Sequence, residues 1–205
     1  MFGAPVALLN SLSVNMPLLV LAYYYGPAAV GFYVLAFRVL QLPASIILTS
    51  LRQALFQKAS EVYRSGGDTY LLFRRVTLGL FAISAVPTSV IVLFAPWLFS
   101  FVFGAKWEMA GEYARCLTIW TGVMFANVPT VLFIRIYRKQ GTLFLQQIVS
   151  FLCRLGALVF GGLYLTAPQT VMLYALTSVG LNSTLIVWMW WFLRAQRDPA
   201  ERCTA

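Results

Sequence analysis

The sequence has no histidine and, in 205 residues, only six acidic residues and three cysteines. Each scarcity removes a kind of chemistry. Without histidine there is no Cys/His metal set and no Ser–His or Cys–His nucleophile pair. Cys116, Cys153 and Cys203 lie far apart. The first two read as small buried apolar side chains and the third as an incidental tail thiol. Charge as a whole is scarce: 10% of residues are Asp, Glu, Lys or Arg and 60% are hydrophobic, where a soluble domain carries about 25% charged. So few charges cannot cover a water-facing surface, and an ordinary globular domain is excluded. No catalytic residue, metal site or cofactor is expected, and an enzyme is the least supported class.

What the sequence has instead is long apolar runs separated by short charged breaks. This is the pattern of helices of about 20 residues crossing a hydrocarbon core of about 30 Å. The expected fold is an all-α polytopic bundle of six transmembrane spans, at roughly 5–24, 31–52, 76–99, 114–134, 142–165 and 169–193, with a tail over 194–205. The breaks carry turn residues: Gly26–Pro27, Ser65–Gly66–Gly67–Asp68, Gly104–Ala105–Lys106, Gly141 and Ala167–Pro168. The amino terminus lacks the basic region of a signal peptide and reads as the first span.

The net charge of +9 comes from 15 basic residues scattered between the apolar runs. They form no patch or basic helix, so nucleic acid is not an expected partner. Counted on alternate connections, eleven lie on one side (Arg52, Lys58, Arg64, Arg74, Arg75, Arg135, Arg138, Lys139, Arg194, Arg197 and Arg202) and two on the other, Lys106 and Arg115. Positive residues are retained in the cytoplasm, which places both termini there. Lys58, Arg64, Arg74 and Arg75 can also touch anionic head groups of the membrane lipids. Trp97, Trp107, Trp120 and the Trp188–Trp190–Trp191 cluster read as interfacial anchors.

Two basic residues, Arg38 and Arg154, fall inside spans. Arg38 heads a polar stripe with Gln41, Ser45, Thr49 and Arg52, whose spacings of 3, 4, 4 and 3 keep all five within an arc of roughly 80° on one helix face. Gln147, Ser150 and Arg154 repeat the pattern in the fifth span. Asn10 and Ser13 add polar groups to the first, and Pro43, Pro87 and Pro129 invite kinks in the second, third and fourth. An uncompensated arginine deep in a bilayer costs at least about 2.5–3.5 kcal/mol, so it faces a bundle interior or a wet cavity. Arg38, Gln41, Ser45, Gln147, Ser150 and Arg154 are therefore the candidate substrate-binding residues, in a cationic cavity suited to phosphate or carboxylate. The competing reading makes the same groups interhelical glue, bonded to carbonyls and amides. The spans contain no acid, which argues against a carboxylate proton relay or sodium site. Gly156, Gly161 and Gly162 read as packing positions.

Two stretches carry a resemblance. GPAAVGFYVLAFRVLQLPASIILTSLRQALFQKASE, Gly26 to Glu61, and LFSFVFGAKWEMAGEYARCL, Leu98 to Leu117, are similar to bacterial polysaccharide flippases of the multidrug/oligosaccharidyl-lipid/polysaccharide exporter superfamily. The first resembles the tract in which a hairpin and Gly-Phe-Tyr lead into an Arg-bearing helix, the second the external Phe-Gly…Trp…Ala-Gly loop. The resemblance implies a multi-pass protein of the bacterial inner membrane that moves undecaprenyl-pyrophosphate-linked oligosaccharide from the cytoplasmic to the outer leaflet. Arg38 and Arg154 would then line a central cavity and meet pyrophosphate or an acidic sugar. It also implies that the chain is similar to the carboxy-terminal six-helix lobe of a two-lobe transporter. An amino-terminal lobe or a second subunit would then complete it, and a fragment is the favoured expectation. The alternatives are a non-transporting membrane subunit or scaffold of a polysaccharide assembly complex, and half of a drug antiporter.

Overall fold

The computed structural model describes the backbone of residues 3–202 and the side chains of 11–196. Six α-helices and one short 3₁₀ turn make up the fold, with no strand among the described residues: α1 (Gly3–Arg64), α2 (Thr69–Phe103), the turn Ala105–Trp107, α3 (Glu108–Ala126), α4 (Val128–Ile136), α5 (Gln140–Tyr164) and α6 (Ala167–Arg202). The protein is an all-α bundle. Five helical stretches are long and apolar enough to cross a membrane: Ser11–Arg64, Thr69–Phe103, Ala105–Ile136, Gln140–Tyr164 and Ala167–Gln196.

The first of these has 54 residues, about 80 Å at 1.5 Å per residue and far longer than one crossing needs. It is bent at Gly26, whose φ of 81° and ψ of 178° are not helical. Only glycine takes that conformation at no steric cost, and Pro27 restarts the helix where its missing N–H matters least. The two legs fold back on each other. Tyr174 Oη approaches the Ser13 carbonyl at 3.5 Å, its ring lies 5.6 Å from Trp120, and Trp120 stacks on Phe37 at 6.2 Å. Residues 13 and 37, on opposite sides of Gly26, thus meet the same aromatic pair. The expected spans 5–24 and 31–52 fall on the two legs of α1, joined without a loop, and the second leg runs on to Arg64. Pro17 and Pro43 lie within helical backbone. The expected span 114–134 is divided between α3 and α4 at Asn127, one residue before Val128–Pro129. α6 runs on to Arg202, past its expected end.

One end of the bundle gathers the Gly26 bend, the 105–107 turn and the α5–α6 connection. Phe32 meets Trp107 at 5.8 Å. Tyr25 Oη lies 2.8 Å from the Gly161 and Leu165 carbonyls and 2.6 Å from Thr170 Oγ1, so one phenol closes the end of α5 onto the start of α6. At the opposite end Asp68 caps α2 by accepting from the Leu71 N–H at 2.9 Å. There Thr69 Oγ1 and Tyr137 Oη share a 2.9 Å hydrogen bond, and the Tyr63 ring packs 5.0 Å away. Burial pushes the Tyr137 phenol up from its ordinary pKa, against the Thr69 hydrogen bond, which lowers it. It is therefore neutral at physiological pH.

α3 is the centre of the bundle. In the apolar part of Ala105–Ile136, the stretch that holds α3 and α4, 61% of residues are buried, against 17–33% in the other four stretches. In lipid, helices associate through close packing more than through hydrophobicity, and α3 meets α2 at a glycine. A Cβ on Gly111 would lie 2.5 Å from Pro96 Cα and 2.6 Å from the Ala95 carbonyl oxygen, both backbone atoms that cannot swing aside. Gly161 and Gly162 are also contact glycines, against Thr170 and Tyr24, whereas Gly156 has open space. Gly111→Ala should destabilise the α2–α3 pair by roughly 1–3 kcal/mol, read as a lower thermal midpoint in detergent. Gly156→Ala, in open space within α5, should not lower that midpoint.

Candidate functional site

The second leg of α1 carries the polar stripe, and packing decides where it points. Tyr33, Ala36, Leu40, Ala44 and Leu48 are buried at spacings of 3 and 4, so this face of the leg meets the bundle. Arg38, Gln41, Ser45, Thr49 and Arg52 stand on the other side and are all exposed. The Ser45 hydroxyl donates to the Leu42 carbonyl at 2.9 Å and that of Thr49 to the Ser45 carbonyl at 2.8 Å. Folding these hydroxyls back on their own helix satisfies their donors. It leaves the Arg38 guanidinium and the Gln41 amide as the long polar groups at the head of the stripe. From residue 38 to 52 the stripe runs about 21 Å, most of a hydrocarbon core.

α5 behaves differently. Ser150 and Arg154 are 4% and 7% exposed and lie on its buried face with Leu158 and Gly161. Gln147 is half-buried. The Arg154 guanidinium sits over the Trp120 ring, 5.6 Å from its centroid, a cation–π contact that is strong when desolvated. The sequence suggested one polar surface from two stripes. The structure instead puts Arg38, Gln41 and Ser45 on an outward face and Ser150 and Arg154 in the interior.

Residues matching the family model described as "Polysaccharide biosynthesis protein" run from 2 to 112. The chain belongs to that family. The match contains the whole stripe and both legs of α1, while Gln147, Ser150 and Arg154 lie beyond it. No curated protein and no solved structure matches the chain. It is an integral membrane protein of a polysaccharide biosynthesis family.

Several polar residues of the interior escaped the sequence reading. Gln146 donates to the Leu181 carbonyl at 2.8 Å and to Ser150 Oγ at 3.4 Å. Asn127 Nδ2 donates to Asn182 Oδ1 at 2.7 Å, and Asn182 Nδ2 to the Ser178 carbonyl at 2.7 Å. This chain of amides ties α6 to the α3–α4 joint, where Pro129 brings no N–H to the ladder. Trp120 is buried among Phe37, Tyr174 and Arg154, not an interfacial anchor. Its place near the middle of Ala105–Ile136 explains why. Trp97 and Trp191 are exposed and suit the anchor role. Cys116 is buried as expected and Cys153 is exposed. Asn10, Arg197, Arg202 and Cys203 lie outside the described side chains.

The Asn127–Asn182 bond yields a direct test. Asn127→Ala and Asn182→Ala should each lower stability. A double-mutant cycle should give a coupling of about 0.5–1.5 kcal/mol, measured by reversible unfolding in mixed micelles.

Proposed function

We propose that this chain is one lobe of a flippase that moves undecaprenyl-pyrophosphate-linked oligosaccharide from the cytoplasmic to the outer leaflet, with no covalent chemistry of its own. The observation that carries the reading is the exposed stripe Arg38, Gln41, Ser45, Thr49 and Arg52 on an otherwise apolar helix, inside the part of the chain that matches a polysaccharide biosynthesis family. Lipid tails are a poor neighbour for two guanidiniums and an amide. A second lobe, on another chain or another part of a longer one, facing this stripe would enclose a water-filled path with a cationic wall. A pyrophosphate crossing the membrane needs such a wall, and a guanidinium can grip it through two parallel hydrogen bonds.

On this reading Arg38 and Gln41 contact the pyrophosphate or an acidic sugar directly, and Ser45 lies one turn along the same path. Gln147, Ser150 and Arg154 belong to the same lobe, with Ser150 and Arg154 supporting it from the interior. The end bearing Arg64, Arg74, Arg75, Arg135, Arg138 and Lys139 faces the cytoplasm of a bacterial inner membrane. The Gly26 end then faces outward.

The test is transport. In cells that depend on this protein for surface polysaccharide, Arg38→Ala should cut export by about tenfold or more. This is the loss expected when one charge-assisted contact of roughly 1.5–3 kcal/mol is removed. Its membrane level should stay at wild type, and lipid-linked oligosaccharide should accumulate in the inner leaflet. In a Cys153→Ser background, cysteines at 38, 41 and 45 should react with a membrane-impermeant thiol reagent while one at the exposed apolar position Ile46 does not. Unchanged export, with all four positions equally protected, would instead mark a subunit whose stripe is dry helix-packing surface.

A further inference from the structure

The interior around Arg154 is a separate feature, and the substrate path does not account for it. Among the described residues, four buried polar atoms there have no hydrogen-bond partner: Arg154 Nε, Trp120 Nε1, Tyr33 Oη and Ser13 Oγ. The residues that bear them are at most 7% exposed. Contacts join three of them, since Arg154 lies over Trp120, Trp120 packs edge-on to Tyr174, and Tyr174 Oη approaches the Ser13 carbonyl. Tyr33 joins them through Phe37, whose ring stacks on Tyr33 at 5.9 Å and on Trp120 at 6.2 Å. Four elements thus supply one polar cluster: both legs of α1, α3 and α5, with Tyr174 of α6 against it.

The chemistry of the orphans is one-sided. A guanidinium and an indole donate hydrogen bonds and cannot accept them, so these two groups cannot satisfy each other. Hydroxyls can do either, so those of Tyr33 and Ser13 are free to turn their protons toward an acceptor placed between them and the guanidinium. A buried donor without an acceptor is costly, and a buried cation without a counter-charge costs more. The acids are spent elsewhere. Glu61 pairs with Lys58 at 2.9 Å, Glu112 with Arg115 at 3.2 Å, and Asp68 caps α2. Glu108 begins α3, twelve residues and about 18 Å before Trp120. No described carboxylate is placed to neutralise Arg154, and the face of Trp120 does so only in part.

We propose that this cluster binds one small inorganic anion, chloride in ordinary buffers, with Arg154 as the charge partner and Trp120, Tyr33 and Ser13 as further donors. The anion supplies an acceptor for each orphan donor and the negative charge that no described carboxylate places beside Arg154. The burial of Trp120, Tyr33, Ser13 and Arg154 favours a small ion over a large one. The anion is a structural ligand of the lobe, distinct from any phosphate at the exposed stripe, and the proposal stands whether or not the chain moves lipid-linked sugar.

The experiment is thermal unfolding of the purified full chain in detergent, with sodium chloride replacing sodium gluconate at constant ionic strength. The gluconate anion is too large for a buried cluster. The wild-type midpoint should rise with chloride and saturate, as a ligand bound only by the folded state requires, and bromide should substitute. Arg154→Gln should abolish the chloride dependence, and Arg115→Gln should keep it. Should Arg154→Gln not accumulate as folded protein, Tyr33→Phe and Trp120→Phe decide the matter. Each removes one donor and keeps a ring, and each should raise the half-saturating chloride concentration about fivefold. A wild-type midpoint indifferent to the choice of anion would overturn the proposal and leave buried water as the partner. An undiminished chloride response in Arg154→Gln, or in both aromatic variants, would overturn it too.

Discussion

In hydrocarbon a backbone polar group has no water to turn to, and the whole architecture follows from that constraint. It forces helix everywhere the chain meets lipid, and it explains how the helices are interrupted. The bend at Gly26 occurs at one end of the bundle, where Tyr25 also closes the end of α5. The division between α3 and α4 lies among buried residues, and there the Asn127–Asn182–Ser178 chain of amides and carbonyl supplies polar partners. Prolines inside α1 and α2 do not end those helices, because neighbours and local adjustment absorb one missing bond more cheaply than lipid tolerates a loop.

The same constraint sorts the side chains. α3 sits at the centre because it is lined by small residues, Ala110, Gly111 and Ala114, that let α2 and its other neighbours come close. Larger groups are then assigned by what they can bond to. Tyr25 reaches carbonyls at the end of α5, Gln146 one in the middle of α6, and Asn182 one on the preceding turn of its own helix. Arg154 has no carboxylate within the described spans and lies against Trp120.

Much of this was legible in the sequence because bilayer thickness and helical period are strict. Apolar runs of the right length gave the all-α bundle, and spacings of 3 and 4 put Arg38, Gln41, Ser45, Thr49 and Arg52 on one face. The same arithmetic could not tell whether a polar face points inward or outward. That depends on which opposite residues pack, and Leu40, Ala44 and Leu48 on α1 look no more interior than the exposed Leu42, Ile46 and Ile47. In a soluble helix the apolar face names the core, whereas in lipid both faces are apolar by default. Trp120 was misread for a related reason. Tryptophan suits both an interface and a buried ring contact, and only its position in the folded helix separates the two.

The opposite placement of the two arginines bears directly on what the protein does. An interior arginine can be compensated inside one lobe, as Arg154 is in part by Trp120, so its presence says little about transport. An outward arginine on a membrane-spanning leg has no such recourse. Arg38 must meet water, an anion or another polar surface, and snorkelling becomes harder with each turn away from the helix end. Arg52, nearer the end of the apolar stretch, can reach an interface alone, whereas Arg38, fourteen residues earlier, cannot use that exit. The toward-membrane surface of α1 is therefore incomplete by its own chemistry. What completes it determines whether the stripe is a path for an anionic lipid-linked sugar or a seam between helices.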